Sequence, residues 1–218
     1  MGKYAIRALL VSLAVTVSFA LFAAADELQA IQLPEPETEG GMPLMEALKL
    51  RRTTRSFDTK PLPEQKLSNL LWAAFGINRP ERGMRTAPSA VNWQEIDIYV
   101  SMEQGLFLYN PRENRLDPIL AEDIREMVGV QAFTQVAPVN LIYVADRSRM
   151  RRASEEDKDF YSATDTGFIS QNVYLFAASE GLATVVIGMV RREPLAEKMG
   201  LRDDQRIILC QPVGYPAE

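Results

Sequence analysis

The chain has 218 residues, of which 47% are hydrophobic, and its formal net charge is −5. This composition is enough for one sizeable hydrophobic core, so we expect a single domain. An acidic chain is a poor partner for nucleic acid. The sequence contains no histidine, which excludes imidazole bases, the nucleophile pairs that depend on them and most transition-metal sites. We expect no metal site, and any chemistry must come from carboxylates, arginines, hydroxyls or a cofactor.

The beginning of the chain has the pattern of a secretory signal peptide over residues 1–25. Lys3 and Arg7 precede an apolar stretch that spans residues 8–22 and is followed by three alanines. We expect cleavage after Ala25, which removes these two positive charges, takes the net charge from −5 to −7 and leaves no stable membrane insertion. An uncleaved anchor is the alternative, because the apolar stretch approaches the roughly 20 residues that span a bilayer. Cleavage predicts a periplasmic or secreted protein.

The folded domain is predicted to begin at a proline. Residues 26–42 combine proline, glutamate and glycine without apolar periodicity, which is typical of a flexible linker. The domain is therefore expected to span residues 43–218. Its first helix begins after Pro43, and the helical spacing of its apolar residues places Arg51 and Arg52 at its C-terminal end.

The middle of the chain predicts a helix, a long loop and several strands. A second, amphipathic helix is predicted between Pro63 and Gly76, and a loop with one short helical turn over residues 77–94. The alternating stretches EIDIYVS and GLFLYN then predict a β-hairpin. After a short acidic helix, the continuous apolar stretch VNLIYVAD predicts a strand that is buried on both faces.

The last third of the chain predicts a core helix and the remaining strands. The stretch DRSRMRRASEEDKD is interpreted as a solvated surface, and TGFISQNVYLFAASEGL as a central helix that ends at Gly181. Two strands, ATVVIGMV and RIILCQPVGY, then flank a short helix, and Cys210 in the second strand is expected to be a buried, unreactive thiol. Hairpins mixed with alternating helices and strands predict an α+β fold, with a mixed sheet between helices.

Three segments carry groups that could bind a ligand. In RRTTRSF, Arg51, Arg52 and Arg55 accompany hydroxyl and turn N–H groups that together could hold a phosphate. The alternative is that these cations only interact with the negative end of the helix dipole. In APSAVNWQ, hydroxyl and amide groups could pair with the edge of a heteroaromatic ring, or form an ordinary polar loop. In VVIGMV, Gly188 indicates either a bulge or a place where another molecule approaches the backbone.

Taken together and in this order, the three segments resemble those of the nitroreductase-like FMN flavoproteins. That family has an Arg-Arg-Ser-x-Arg-like motif, then Pro-Ser-x-x-Asn-x-Gln before a strand, and Ile-Gly after a core helix. The resemblance covers residues 44–216, and LSNLLWAAFGINR, RTAPSAVNWQEIDIYV and GLFLYNPRENRLDPI are most similar to the SagB-type dehydrogenase branch. It implies a nitroreductase-like three-layer fold, with a mainly antiparallel sheet packed between helices.

The resemblance also implies where FMN binds. The arginine motif would hold the phosphate, and the flavin would lie at the interface of a homodimer, where the other subunit supplies the polar loop. The family commonly has a further basic residue beyond position 218. In this sequence, either the three arginines carry more of the phosphate charge or FMN binds weakly. The implied residues are Arg51, Arg52, Thr53 and Arg55 for the phosphate, Pro88, Ser89, Ala90, Asn92 and Gln94 for the flavin loop, and Ile187 and Gly188 for backbone contacts.

The implied activity is that of an FMN-dependent oxidoreductase. Two electrons would pass by ping-pong hydride transfer through flavin N5 to a nitro, quinone or related small-molecule acceptor, with NAD(P)H as a candidate donor. Nicotinamide donors are scarce outside the cytoplasm, so a SagB-like dehydrogenase that oxidises a ring or amine of a peptide or small molecule is an alternative. A non-catalytic flavin-binding protein and a structural module are others. No catalytic residue is assigned, and Tyr161, Asp165 and Glu122 remain open as proton donors.

Overall fold

The computed structural model describes residues 28–217, and an antiparallel sheet of seven strands runs through this region. The predicted signal peptide lies outside the described residues. The strands are β1 (Ile31–Gln32), β2 (Ile77–Arg79), β3 (Met84–Arg85), β4 (Ile96–Met102), β5 (Gly105–Asn110), β6 (Arg115–Leu120), β7 (Val139–Asp146), β8 (Ala183–Thr184) and β9 (Gln205–Gly214). The order in the large sheet is β1-β6-β5-β4-β7-β9-β8, whereas β2 and β3 form a separate hairpin.

Four helices agree with the predicted positions, but the core helix is longer than predicted, the predicted acidic helix is only a 3-10 turn at Arg125–Met127, and the helix Phe133–Val136 was not predicted. The N-terminal cap of the core helix is Ser154, whose hydroxyl accepts a hydrogen bond from the Asp157 N–H at 3.1 Å, and the helix ends at Gly181 in a left-handed conformation. The helix therefore includes residues that were interpreted as solvated surface. No helix in the described part of the chain is long and apolar enough to cross a membrane. The helices are α1 (Leu44–Leu50), α2 (Glu64–Phe75), α3 (Phe133–Val136), α4 (Glu155–Glu180) and α5 (Arg192–Lys198).

The large sheet lies between two helical layers. Successive side chains of a strand point to opposite faces, so each central strand contributes to two cores. Tyr143 of β7 packs in the core that includes Leu71 of α2 and Val173 of α4. Its neighbour Ile142 belongs to the core on the other face, with Leu195 of α5. The predicted α+β fold, with a mainly antiparallel sheet between helices, is confirmed.

The segment before α1 is attached to the sheet, although the sequence predicted a flexible linker there. Residues Ile31–Gln32 pair with the strand β6, and Leu33 is only 3% exposed in the core beside α2. The Pro34 carbonyl accepts hydrogen bonds from Ser68 and from Asn114, each at 2.6 Å. The packed structure thus includes residues before Pro43, because a two-residue pairing and one buried leucine are too short to produce a periodic signal.

Three further segments differ from the prediction. Strand β6 was not predicted, because Asp117 and Pro118 interrupt its alternation. The predicted loop over residues 77–94 contains the small β2–β3 hairpin. In ATVVIGMV only the first two residues join β9 as a strand, and Ile187 then meets Cys210 in an isolated bridge.

Candidate functional site

The residues Arg51–Arg55, here called the arginine segment, surround a tyrosine of α4. The Arg51 guanidinium lies 5.3 Å from the centroid of the Tyr174 ring, within the range of a cation–π interaction. The Thr53 hydroxyl is hydrogen bonded to the Tyr174 hydroxyl at 3.1 Å. The Tyr174 hydroxyl also accepts a hydrogen bond from the Val186 N–H at 3.0 Å. Tyr174 therefore joins the arginine segment to the stretch that leads to Gly188.

The arginines of this segment have no acidic partner among residues 28–217. Arg51 is half-buried and Arg52 and Arg55 are exposed, but no described carboxylate lies within 4.0 Å of any of them. Some arginines elsewhere in the described part of the chain are paired, such as Arg125, which lies 2.7 Å from Asp123, whereas Arg112 and Arg152 are not. Unpaired guanidinium groups next to hydroxyl groups are suited to binding an anion, which is what the phosphate interpretation requires.

The arginine segment does not present all its side chains to one place. Arg51 and Thr53 contact Tyr174, whereas Arg52 lines a separate cavity of about 240 Å³ together with Thr54 and Pro216. Within one chain, Arg51 and Arg52 therefore lie at two different places.

Gly188 exposes a backbone donor two residues after Val186, whose N–H contacts Tyr174. A Cβ atom added at Gly188 would contact only Leu209 Cδ2, at 3.8 Å, so the chain leaves open space around this residue. Its N–H has no acceptor among the described residues, and the residue is exposed. The N–H and carbonyl of Ile187 are both bonded to Cys210, at 2.7 and 3.0 Å. Of the two predicted backbone donors, Gly188 is therefore the one that is available.

The loop Pro88–Gln94, here called the 88–94 loop, has an unusual backbone that polar contacts hold in place. Val91, Asn92 and Gln94 have φ angles of 50°, 58° and 49°, a region that residues with side chains rarely adopt. The Gln94 amide donates to Asn92 Oδ1 at 2.9 Å and accepts from Arg85 Nε at 2.8 Å. In this conformation Pro88 and Asn92 are exposed, and Gln94 serves to brace the loop.

Two buried carboxyl groups lie beneath the 88–94 loop. Glu95 is 0% exposed and Asp165 of α4 is 2% exposed. The Ser89 hydroxyl donates to Glu95 Oε2 at 3.2 Å, and the Ala90 N–H donates to Asp165 Oδ2 at 2.8 Å. Burial, together with the neighbouring Asp165 carboxyl, raises the pKa of Glu95 to about 7. Asp165, one of the three proton-donor candidates, therefore supports the 88–94 loop.

The other two proton-donor candidates lie apart from the arginine segment. Glu122 is ion paired with Lys198 at 2.5 Å. Tyr161 packs edge-on against Trp93 of the 88–94 loop, with ring centroids 5.8 Å apart. Neither residue contacts Arg51, Thr53 or Gly188 in the described structure.

The single thiol is inert, as the sequence predicted. Cys210 is fully buried in β9, and burial raises its pKa to about 12. A thiol with this pKa is protonated at neutral pH and is a poor nucleophile. Cys210 therefore takes no part in the candidate site.

The 88–94 loop and the arginine segment do not meet within one chain. The loop contacts α4 at Asp165, and the arginine segment contacts α4 at Tyr174. These two positions are nine residues apart, which is about 13 Å along the helix and two and a half turns around it. They therefore lie on opposite faces of α4.

The chain belongs to the nitroreductase family, whose model matches residues 48–215. A proposed nitroreductase of Methanocaldococcus jannaschii is 32% identical over 198 residues, which cover 86% of this chain and 97% of that protein. The FMN reductase (NAD(P)H) of Bacillus subtilis is 26% identical over 189 residues, covering 80% of this chain and 66% of the relative. A crystal structure of a proposed nitroreductase from Ralstonia eutropha has a TM-score of 0.83 and 44% identity, over 87% of this chain and 90% of that chain. The protein is a nitroreductase-family oxidoreductase.

The Tyr174 hydroxyl is expected to stabilise the site. Tyr174→Phe removes its hydrogen bonds to Thr53 and to the Val186 N–H, and should lower the free energy of unfolding by about 1–3 kcal/mol. Urea denaturation measures this change. Tyr215→Phe is the matched control, since the Tyr215 hydroxyl has no hydrogen-bond partner among residues 28–217. Equal stability of the two variants would contradict the bridging role.

Proposed function

We propose that this protein is an FMN-dependent oxidoreductase that acts as a homodimer. The observation that carries the proposal is a pair of features joined through Tyr174: the unpaired arginine segment, and the free N–H of Gly188, two residues after Val186. A phosphate fits the arginine segment, because Arg51 and Arg55 have no acidic partner among the described residues. A flat ring fits beside the Gly188 N–H, where the chain leaves space.

The proposed dimer would complete the site with a loop from the second chain. Support comes from the position of the 88–94 loop, which lies on the opposite face of α4 from Tyr174. Support also comes from α1, where Leu44 is 62% exposed and Met45 is 76% exposed. Exposed apolar side chains of this size are typical of surfaces that a partner covers. In the dimer, Pro88, Ser89, Ala90 and Asn92 of one chain would line the flavin held by the arginines of the other.

The chemistry of this proposal belongs mainly to the cofactor. Bound FMN would supply two-electron hydride transfer at its N5 position, in a ping-pong cycle with a nitro, quinone or related small molecule as acceptor. The residues of the chain would bind and orient it: arginines at the phosphate, the Gly188 N–H near the ring and the 88–94 loop over the ring. NAD(P)H is the candidate donor, as the name of the Bacillus subtilis relative suggests for that protein.

A SagB-like dehydrogenase is the second candidate function. It is favoured by the stretches around APSAVNWQEIDIYV that resemble this branch, and by the signal-peptide pattern of residues 1–25. Cleavage after Ala25 would release a periplasmic or secreted domain over residues 43–218, extended by the packed strand β1. In such a compartment the donor would be a ring or amine of a peptide or small molecule instead of a nicotinamide.

Purified protein is expected to be yellow and to contain one FMN per chain. Addition of NADPH or NADH should bleach the flavin absorbance, and air should restore it. Flavin that only dithionite bleaches would favour the SagB-like function or a non-catalytic flavin-binding protein. A colourless protein that takes up no added FMN would contradict the proposed function in every form.

A further inference from the structure

The buried carboxyl groups of Glu95 and Asp165 are the main support of the 88–94 loop. Glu95 accepts a hydrogen bond from the Ser89 hydroxyl, and Asp165 accepts one from the Ala90 N–H. Each acid therefore holds one of two consecutive loop residues. Ser89 Oγ also accepts the Gln94 N–H at 2.8 Å, which closes the loop upon itself. The two acids therefore hold the loop from below.

The contact between the two carboxyl groups requires a proton. Asp165 is within side-chain hydrogen-bond reach of Glu95, and two ionised carboxylates are acceptors only. Glu95 Oε1 is buried and has no hydrogen-bond donor among the described residues. A proton on this oxygen turns it into a donor towards Asp165, which satisfies the buried atom and removes the repulsion between two buried charges.

The charged side chains around this pair do not neutralise it, because each has another partner. Arg149 donates to the Gln94 carbonyl and to Asp97, both at 2.8 Å. Arg85 donates to the Gln94 side chain and to the Phe75 carbonyl, and Arg202 lies 3.0 Å from Asp146. The ionisable side chains that contact the loop are thus Arg85, Arg149 and Tyr161, and Asp97 and Asp146 are the partners of Arg149.

We propose that a proton on Glu95, directed towards Asp165, makes these two acids positioning residues, which hold the 88–94 loop in the conformation that receives the flavin. This role rests on the proposed FMN function. Loss of this proton leaves two neighbouring buried negative charges beneath the loop, so the carboxylates separate and displace Ser89 and Ala90, which stay bonded to them. The protein would then bind flavin more weakly in alkaline than in mildly acidic solution.

The direction of the pH dependence follows from the folded structure. The fold favours the protonated form of Glu95, so its pKa is raised from 4.5 to about 7. Its contribution to stability is fully present below about pH 4.5 and is lost as the pH rises through about 7. Binding that needs this proton should weaken about tenfold between pH 6 and pH 8.

The loop itself can be followed without any flavin. The chain has two tryptophans, so Trp72→Phe leaves Trp93 of the 88–94 loop as the single tryptophan. We expect the Trp93 emission of this apoprotein to change with pH, with a midpoint near 7. Glu95→Gln keeps a hydrogen-bond donor and removes the titrating group, so it should abolish the transition. Asp165→Asn removes the neighbouring carboxylate but leaves Glu95, so it should move the midpoint to lower pH. Either variant suffices if the other does not fold. A transition that persists in folded Glu95→Gln, an unchanged midpoint in folded Asp165→Asn, or the absence of a transition from the parent overturns the proposal.

FMN titration of the purified protein completes the test. The parent should lose about tenfold in affinity between pH 6 and pH 8, whereas Glu95→Gln should bind equally at both pH values. Asp159→Asn on the exposed surface of α4 is the control and should behave as the parent. A Trp93 transition without a change in FMN affinity overturns the positioning role. Failure to bind FMN at any pH contradicts the proposed function instead, and the Trp93 measurement then still decides whether the pair controls the loop.

Discussion

Replacing Arg51 and Arg55 together by alanine should weaken FMN binding by at least about 100-fold, because each hydrogen bond to a charged group contributes about 1.5–3 kcal/mol. Neither arginine has an acidic partner in the described structure, so their loss should leave no unpaired carboxylate in the fold. The free energy of unfolding should therefore change little. Equilibrium dialysis or fluorescence titration with FMN measures the affinity, and urea denaturation measures the stability.

The matched control for this variant changes two other arginines. Arg112 and Arg152 are exposed and form no ion pair with the described residues, so Arg112→Ala with Arg152→Ala removes the same charge from other parts of the surface. This control should retain FMN. Equal FMN affinity in both double variants would show that the phosphate interpretation of the arginine segment is wrong.

Mixed dimers should regain flavin when their two chains carry different defects. One chain carries Arg51→Ala with Arg55→Ala, and the other carries Ser89→Ala with Asn92→Ala. If each site combines the arginines of one chain with the loop of the other, the mixed dimer has one intact site. Each variant alone should bind little FMN, and mixed dimers isolated with two affinity tags should bind one FMN per dimer.

The reciprocal arrangement distinguishes a shared site from a site within one chain. When one chain carries all four substitutions and the other carries none, both shared sites are damaged, whereas a site within one chain would remain intact in the unsubstituted subunit. We therefore expect almost no FMN in this second mixed dimer. One FMN per dimer in the second arrangement and none in the first would contradict the two-chain site, as would a strictly monomeric protein that holds FMN.

The central part of the fold could be predicted from the sequence because its signals are local and periodic. The β4–β5 hairpin, the buried strand β7 and the end of α2 at Gly76 follow from alternation, apolar run length and a glycine stop. Strand β6 and the attachment of residues 31–34 could not be predicted in this way. They depend on pairing with distant parts of the chain, and their own residues carry little periodicity.

The candidate site could be predicted only in part. The arginines, the polar loop and Gly188 were predicted from motif order and remain a prediction, whereas the partners that position them were not predicted. Tyr174 lies among the apolar residues of α4, where an aromatic side chain normally indicates core packing, and its hydroxyl contacts two segments that are far away in the sequence. Glu95 follows the polar loop directly, but nothing in the sequence indicates that Asp165 lies beside it.

The buried thiol in β9 also has a practical consequence for spectroscopy. Because Cys210 is fully buried and is the only cysteine of the chain, the unmodified protein should react slowly with thiol-directed probes. A cysteine introduced at an exposed position could then be labelled selectively without first removing a native one. Spin labels placed in this way on the two subunits of a dimer would give distances between them by electron paramagnetic resonance, a view of the assembly that does not depend on bound flavin.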